Sequence, residues 1–527
     1  MAGKLKEKDT TARAARAVPV RTGAAAIAAG RVALSCAVMN DSSSVAQLVA
    51  ALRAELKRYS PGEKLPSSRA LVTQHRVSPV TVSRAIAALT AEGLVASRPG
   101  AGVFKAPARR AARAPGDVSW QEVALTADPP HAALGTGRRG ADAAGVLATL
   151  AAPPPEVVDL SGGYPHASLR PERALAGALA RAGRRPGTWS RPPVEGLAEL
   201  RGWFARDIGG PAGSLGPADV LVTAGGQSGL TTALRALAAP GSPVLVESPT
   251  YPGLLAVARA AGLRPVPVPL DADGVRADLL AEAFAATRAR VFVCQPLFHN
   301  PVGAVLAPER RTAVLRTARA AGAFVVEDDF ARRLAHADAA PVPPPLAADD
   351  PDGVVVHVRS LTKAASPSLR VGALSARGPV LERLRAGLVV DSLFVPRPLQ
   401  ETALELVGSP AWASHQRALS DALRERRTAV LAALRTELPG LVPERPPLGG
   451  YHLWLRLPDG ADEAAVAAAA LRHGVAVTPG APYFTAEAPA PHLRLSYAAS
   501  TGPAQLRDGV RRLRRAFPAD SPPADGG

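Results

Sequence analysis

The chain has almost no cysteine: Cys36 and Cys294 are the only two among 527 residues. That excludes a disulfide scaffold and any four-cysteine zinc site, and suits a reducing, cytoplasmic setting; no metal-binding residues are singled out. No apolar run approaches the roughly 20 residues of a membrane helix, so no membrane partner is expected. The basic N-terminus lacks the apolar core and cleavage site of an export signal. Lysine is scarce in a more informative way. There are seven, and after Lys105 only Lys363 remains. One lysine in a long stretch that otherwise uses arginine marks a position where a guanidinium would not serve.

What is present suffices for several folded units. Hydrophobic residues make up 47% and charged residues 20%, so a sizeable core is expected, and the length allows two to four domains at about 100 to 200 residues each. The net charge of +17 is uneven: residues 1–38 carry +5, 39–105 carry +5, 106–155 carry +1 and the remainder +6. Basic density in the first fifth suits a polyanionic partner, although a general bias towards Arg and Ala would give the same charge.

Residues 1–40 are Ala, Arg and Lys without periodicity and read as a mobile basic tail. Met39 precedes a helix start at Asn40 to Ser44 and is a candidate translation start. Residues 41–106 read as a first domain. Residues 107–155, with Pro, Gly, Ala and Arg clusters ending in Pro153-Pro154-Pro155, read as a linker whose ends would lie on the order of 40 Å apart if it were flexible. From 156 to 517, Val/Leu-rich runs alternate with helical stretches. The runs are Val220 to Thr223, Val244 to Glu247, Val291 to Gln295, Phe324 to Asp328 and Val354 to Arg359, and this alternation implies parallel crossovers in an α/β sheet.

In the first domain Val45, Leu48, Val49, Leu52 and Leu56 form one helical stripe. Pro61-Gly62 turns the chain. Ser67 or Ser68 can cap a second helix through Arg69 to His75, and Ser78 caps a third with Pro79 at its first position. Val82, Ile86 and Leu89 are expected inside, whereas Val80, Thr81, Arg84 and Ala88 form a face that can approach a groove closely. Leu94 to Phe104 reads as a hairpin with Arg98, Gly100 and Gly102 at its tip. A small helical domain for protein contacts is the alternative to this winged helix-turn-helix. The run LPSSRALVTQHRVSPVTVSRAIAALTAEGLVASRPGAGVF, Leu65 to Phe104, resembles the GntR family of bacterial regulators. The resemblance implies that Arg69 binds phosphate, that Thr81 and Arg84 lie in the major groove of double-stranded operator DNA, that Arg98 and Gly102 reach the minor groove, and that Ser78 also belongs to the DNA-binding set. Pro79 and Ser83 stand where arginines are frequent, so the operator should differ.

In the last domain, Lys363 follows an apolar strand within Ser360-Leu361-Thr362-Lys363, and Arg370 comes seven residues later. An amine held beside a strand end can form a Schiff base with an aldehyde cofactor, and the hydroxyls and guanidinium around it suit a phosphate. Thr223-Ala224-Gly225-Gly226-Gln227 joins a strand to a helix, where backbone N–H groups can cradle an anion; a plain tight turn is the alternative. Asp328 ends a strand and can pair with a pyridinium nitrogen, or cap a helix. The Asn300 amide could bond a ring hydroxyl, and Tyr251 could cover a ring face or belong to the core. Arg494, between apolar neighbours in Leu493-Arg494-Leu495-Ser496, needs an anion: a ligand carboxylate or an internal acid.

The order GGQ, SPTYP, HNPVG, VVEDD, SLTK with Arg370, then LRLS resembles fold-type I, class I/II aminotransferases. The resemblance implies an α/β transferase fold with large and small subdomains and pyridoxal 5'-phosphate as cofactor. By that resemblance Lys363 carries the internal aldimine and Asp328 pairs with the pyridine nitrogen. Asn300 touches the ring hydroxyl, and Tyr251 stacks on the ring. Gly225, Gly226, Gln227, Ser360 and Arg370 hold the phosphate, and Arg494 takes an amino-acid carboxylate. Phe330 stands where the family often has tyrosine, and Trp189 to Gly196 lacks the usual tyrosine and glycine spacing; both weigh against efficient transamination. The combination resembles the MocR subfamily of GntR-type regulators. It implies a cofactor-dependent transcriptional regulator answering to an amino acid, an amine or pyridoxal phosphate itself at Lys363, and a head-to-tail homodimer. The alternatives are a working aminotransferase with an attached DNA-binding unit, and a DNA-binding protein whose large domain only dimerises.

Overall fold

The computed structural model describes residues 44–98, 100–107, 121, 143–210 and 215–517. The expected tail at 1–40, with Cys36 and Met39, lies outside them. The chain divides into two units, residues 1–125 and 126–527.

In the first unit, helix α1 (44–55) buries Leu48, Val49 and Leu52, the stripe expected from 3.6-residue spacing. Helix α2 (Ser68–His75) starts at Ser67, whose hydroxyl accepts the Ala70 N–H. It ends at Arg76 in the left-handed region, φ 53°, which turns the chain sharply towards Ser78, the N-cap of helix α3 (Pro79–Ala91). Strands β1 (Val95–Arg98) and β2 (Gly102–Lys105) form an antiparallel wing with Arg98 opposite Gly102. Leu65 N–H donates to the Val103 carbonyl and Lys105 N–H to the Glu63 carbonyl at 2.8 Å each, tying the wing to the segment before α2. Leu52, Leu71, Val82, Leu89 and Val95 meet in one core, each large side chain contributing about 2 kcal/mol by its removal from water.

The face of α3 differs from expectation in two places. Ala85 is fully buried and Ile86 only half-buried. Thr81, expected on the groove face, is 3% exposed. The first turn of α3 lies against the core, and Ser78 Oγ accepts the Thr81 N–H at 3.1 Å while the two hydroxyls pair at 2.8 Å.

The second unit is built on a mixed sheet. Helix Ala144–Leu150 lies within the stretch read as a linker and belongs to this unit. After the short strand β3 (Val158–Asp159) come β4 (Val220–Thr223), β5 (Pro243–Ser248), β6 (Arg264–Asp271), β7 (Gly274–Val275), β8 (Val291–Cys294), β9 (Phe324–Asp329), β10 (Val355–Ser360) and β11 (Gly372–Ser375). They order as β4-β11-β10-β9-β8-β5-β6-β7. The pairs joining β6, β5, β8, β9 and β10 are parallel, whereas β11 runs antiparallel to both neighbours. All five strands expected from the Val/Leu runs are present. Burial is two-sided, with Val326, Val356 and Val358 in one apolar cluster and Val325 and Val355 in the other. This is why these strands read as continuous apolar runs rather than as alternation.

A smaller sheet pairs β12 (His452–Arg456) with β15 (His492–Ser496) and β15 with β14 (Thr478–Pro479), while β13 (Val475–Ala476) pairs with β3. These are the expected large and small subdomains. No helix among the described residues is long and apolar enough to cross a membrane.

Candidate functional site

The side-chain period of two sorts the three acids that end β9. Asp328 lies on the same face as Val326, and Glu327 and Asp329 point to the opposite layer. There Glu327, Asp329 and His357 gather, all buried, and Arg332 and Arg359 reach Asp329 at 2.8 and 3.2 Å. Burial pushes the Asp329 carboxyl up, but the Arg359, Arg332 and His357 charges outweigh it and hold the group down at about 2. Asp328 instead faces a cleft at the carboxyl ends of the parallel strands, where open α/β sheets place their ligands.

That cleft is lined by Gly226, Gln227, Tyr251, Asn300, Asp328, Ser360, Lys363, Arg370 and Arg494. These sequence-identified residues span 269 positions; the neighbouring strands β8, β9 and β10 bring together Asn300, Asp328, Ser360 and Lys363. Lys363 Nζ donates to the Gly163 carbonyl at 2.6 Å and lies 3.6 Å from the centre of the Tyr164 ring. Burial, then the nearby Arg494 and Arg370 cations, lower its amine to about 7 against the pull of Asp328. Near neutral pH much of it is therefore an unprotonated nucleophile. Burial raises the Asp328 carboxyl to about 6, even though Gln295 Nε2 donates to its Oδ2 at 2.7 Å.

Backbone conformation shapes one end of the cleft. Gly225 adopts φ +87°, and a Cβ there would lie 3.1 Å from Arg370 Nη2. Arg370, itself in the left-handed region at φ 47°, donates to the Ala224 carbonyl at 2.6 Å. A guanidinium, the N-terminus of helix Gly226–Leu237 and the hydroxyls of Ser360 and Thr362, 2.6 Å apart, stand at this end, groups whose chemistry suits an anion. Tyr251 Oη donates to Gln227 Oε1 at 3.3 Å.

At the other end Arg494 is 2% exposed. Its Nη2 donates to the Ser161 carbonyl and its guanidinium lies 5.5 Å from the Tyr483 ring centre. No described acid forms an ion pair with it, and its Nε is buried without a partner. An internal salt bridge, one of the two readings for Arg494, is thus not what the structure has.

Several lining residues were not singled out from the sequence. Gln295 is the hub: its N–H donates to Glu247 at 2.7 Å, its amide to Asp328, and its Oε1 accepts the Asn300 N–H at 3.0 Å. Asn300 Oδ1 is left buried without a partner, available to a hydroxyl. Tyr451 Oη donates to the same Gly163 carbonyl as Lys363, at 2.8 Å. His452 is buried, and burial, then Arg494 and Lys363, keep its imidazole neutral by pushing its pKa well down. Phe330 lines the cleft without a polar atom.

In the first unit Arg69 and Arg84 are exposed, on α2 and α3. Arg98 lies over the Phe104 ring, 4.7 Å from its centre. Gly102, at φ +114°, lets the Lys64 side chain pass where a Cβ would meet it at 2.8 Å. Ser78 and Thr81 use their hydroxyls on each other.

The orphaned Asn300 oxygen, the Arg494 guanidinium with no described acid beside it and the turn at Gly225 are what a phosphorylated, carbonyl-bearing aromatic ring joined to a carboxylate would complete. Comparison with known proteins points the same way. The description of aminotransferase class I and II matches residues 155–513, and that of the bacterial regulatory proteins of the gntR family matches 45–104. A 2-aminoadipate transaminase of Thermus thermophilus is 33% identical over 366 residues, 69% of this chain and 90% of its own. The HTH-type transcriptional regulator TauR of Rhodobacter capsulatus is 30% identical over 478 residues, 87% of this chain and 93% of its own. Among solved structures, LysN, an alpha-aminoadipate aminotransferase of Thermus thermophilus complexed with N-(5'-phosphopyridoxyl)-L-leucine, superposes with a TM-score of 0.67 at 31% identity, covering 76% of this chain and 98% of that one. The chain belongs to the aminotransferase class I and II family, whose cofactor is pyridoxal 5'-phosphate, and carries a GntR-type winged helix at its N-terminus in the arrangement of MocR-type regulators.

Proposed function

We propose that the protein is a transcriptional regulator whose DNA affinity is set by a small amine or amino acid, or by pyridoxal phosphate itself, at Lys363. The observation that carries this reading is the pairing, in one cleft, of a lysine amine held near neutrality and a buried arginine lacking an acid, in a chain that also has a winged helix. When bound, the cofactor supplies an aldehyde and an electron-withdrawing ring. Lys363 would offer the nucleophilic amine, Asp328 would hold a proton at the ring nitrogen, Asn300 would meet the ring hydroxyl and Tyr251 the ring face. Gly225, Gly226, Gln227, Ser360 and Arg370 would hold the phosphate, and Arg494 would bind a ligand carboxylate. In the winged helix, Arg69 would contact phosphate, Arg84 the major groove from the α3 surface, and Arg98 and Gly102 the minor groove. Thr81 and Ser78 would act by holding the first turn of α3.

A ligand shifts the regulator only by its difference in affinity for two states. The test is a DNA-binding titration of the full chain on its own upstream region, with and without candidate amino acids. The reading expects ligand-dependent affinity in wild type that is absent in Lys363→Ala; equal responses in both proteins would refute it. Sustained keto-acid formation from an amino donor would instead favour a working aminotransferase, a reading supported by the presence of Lys363, Asp328 and Arg494 together. A head-to-tail homodimer belongs to the proposal: Trp189, Val390 and Leu393 are 86%, 79% and 62% exposed, apolar surface that a second copy could cover.

A further inference from the structure

Gly163 stands between the reactive amine and the helix Ala144–Leu150. Its carbonyl accepts two hydrogen bonds, from Lys363 Nζ at 2.6 Å and Tyr451 Oη at 2.8 Å, and so has both lone pairs engaged. Its N–H donates to the Thr149 carbonyl at 3.1 Å. The approach is close: a Cβ on Gly163 would lie 3.3 Å from that carbonyl oxygen. The helix is wedged further by Gly145, where a Cβ would meet Pro252 and Pro482 at 3.3 Å each. Pro252 follows Tyr251, which lines the cleft, and Pro482 precedes Tyr483, whose ring centre lies 5.5 Å from the Arg494 guanidinium. Thr149 and Leu150 line the cleft themselves, while Leu147 is 62% exposed. The helix is short, and its Thr149 carbonyl is bonded by the residue whose own carbonyl holds the amine.

We infer that Tyr451 and the Gly163 peptide are positioning groups for Lys363, and that they transmit the state of its amine to the helix Ala144–Leu150, at the end of the chain segment leading from the winged helix. The inference rests on the proposed role of Lys363. Condensation of a neutral amine with an aldehyde forms a carbon–nitrogen double bond, releases one water, and leaves the nitrogen with one proton or none. A nitrogen left without a proton is no longer a donor to the Gly163 carbonyl. The carbonyl and the N–H of Gly163 sit on successive peptide groups joined at its Cα, so a shift of the carbonyl on losing that donor moves the N–H bonded to Thr149. Thr149 is buried in the last turn of the helix, with its hydroxyl donating to the Val146 carbonyl at 2.8 Å.

Hydrogen–deuterium exchange of the full chain, followed over peptides spanning residues 144–163, tests this. Cofactor-free Lys363→Ala should exchange about fivefold faster there than cofactor-free wild type, the factor expected for one hydrogen bond. Pyridoxal phosphate should accelerate wild type towards the same level and leave Lys363→Ala unchanged. A second readout separates positioning from packing. In Tyr451→Phe the freed carbonyl holds the ammonium better, so the pH midpoint of cofactor uptake should move upward. Slow exchange in Lys363→Ala equal to that of wild type, or an unmoved midpoint in Tyr451→Phe, overturns the inference. Absorbance of the same samples distinguishes the failures: uptake by wild type without a change at 144–163 sinks this inference alone, whereas no uptake by wild type sinks the reading of the cleft as well.

Discussion

Gln295 and Asp328 stand at the ends of adjacent parallel strands with the Gln295 amide donating to the Asp328 carboxyl at 2.7 Å. The amide favours the charged carboxylate and burial opposes it, and burial wins, leaving the group at about 6. A carboxyl raised above its usual value keeps its proton longer in the folded chain than in the unfolded one. The Asp328 contribution to the stability of the cofactor-free protein should therefore fall as pH rises from about 4 through 6, by about 3 kcal/mol. Asp328→Asn should abolish that loss, and Gln295→Ala should push the titration higher. Denaturant unfolding across pH checks both; parallel profiles for wild type and Asp328→Asn would contradict them.

The amine of Lys363 has the opposite sign. Burial and the Arg494 cation hold it at about 7, so cofactor uptake should rise with pH around a midpoint near 7 rather than near the ordinary lysine value. Arg494→Leu removes one of the two cations acting on it and should move the midpoint upward. Stopped-flow absorbance over a pH series reads the midpoint directly.

Arg494 should also sort ligands by chemistry. Removing a buried guanidinium from a carboxylate costs about 2 to 5 kcal/mol, so Arg494→Leu should weaken amino acids at least tenfold and leave the corresponding decarboxylated amines nearly unchanged. Equal losses for both classes would place the carboxylate elsewhere.

Gly225→Ala tests the cradle. Its φ of +87° and the 3.1 Å approach to Arg370 leave no room for a methyl group without strain of about 1 to 3 kcal/mol. Weaker pyridoxal phosphate binding is expected, with pyridoxal lacking the phosphate much less affected; equilibrium dialysis measures the two.

On DNA, Arg84→Ala should lose about 1 to 3 kcal/mol of discrimination between operator and random sequence. Arg69→Ala should weaken all sequences alike and reduce the salt slope by about one. Anisotropy titrations at several salt concentrations separate the two effects.

Much of this was legible because the information is local. Apolar runs gave five of the eight strands of the large sheet to within a residue or two; Lys363 stood out as a lone lysine, Asp328 as an acid at the end of an apolar strand and Arg494 as a charge between apolar neighbours. Gln295 did not, because its partner Asp328 is brought to it only by the pairing of β8 with β9. Tyr451 is 288 residues from the carbonyl it meets; the Gly449-Gly450 pair before its strand was the one local sign of close packing there. Thr81 was assigned to the wrong face of α3 because periodicity counts apolar positions, and a threonine in the first turn can be drawn inward by its N-cap. The antiparallel β11 and the helix Ala144–Leu150 are short elements whose sequences carry little pattern of their own.

Borohydride reduction of the full chain after loading with pyridoxal phosphate, followed by peptide mass mapping, tests the central claim most directly. The account predicts a phosphopyridoxyl group on Lys363 and on none of the other six lysines, blocked in Lys363→Ala. Absence of the adduct, or its appearance on a lysine of the winged helix instead, would contradict it.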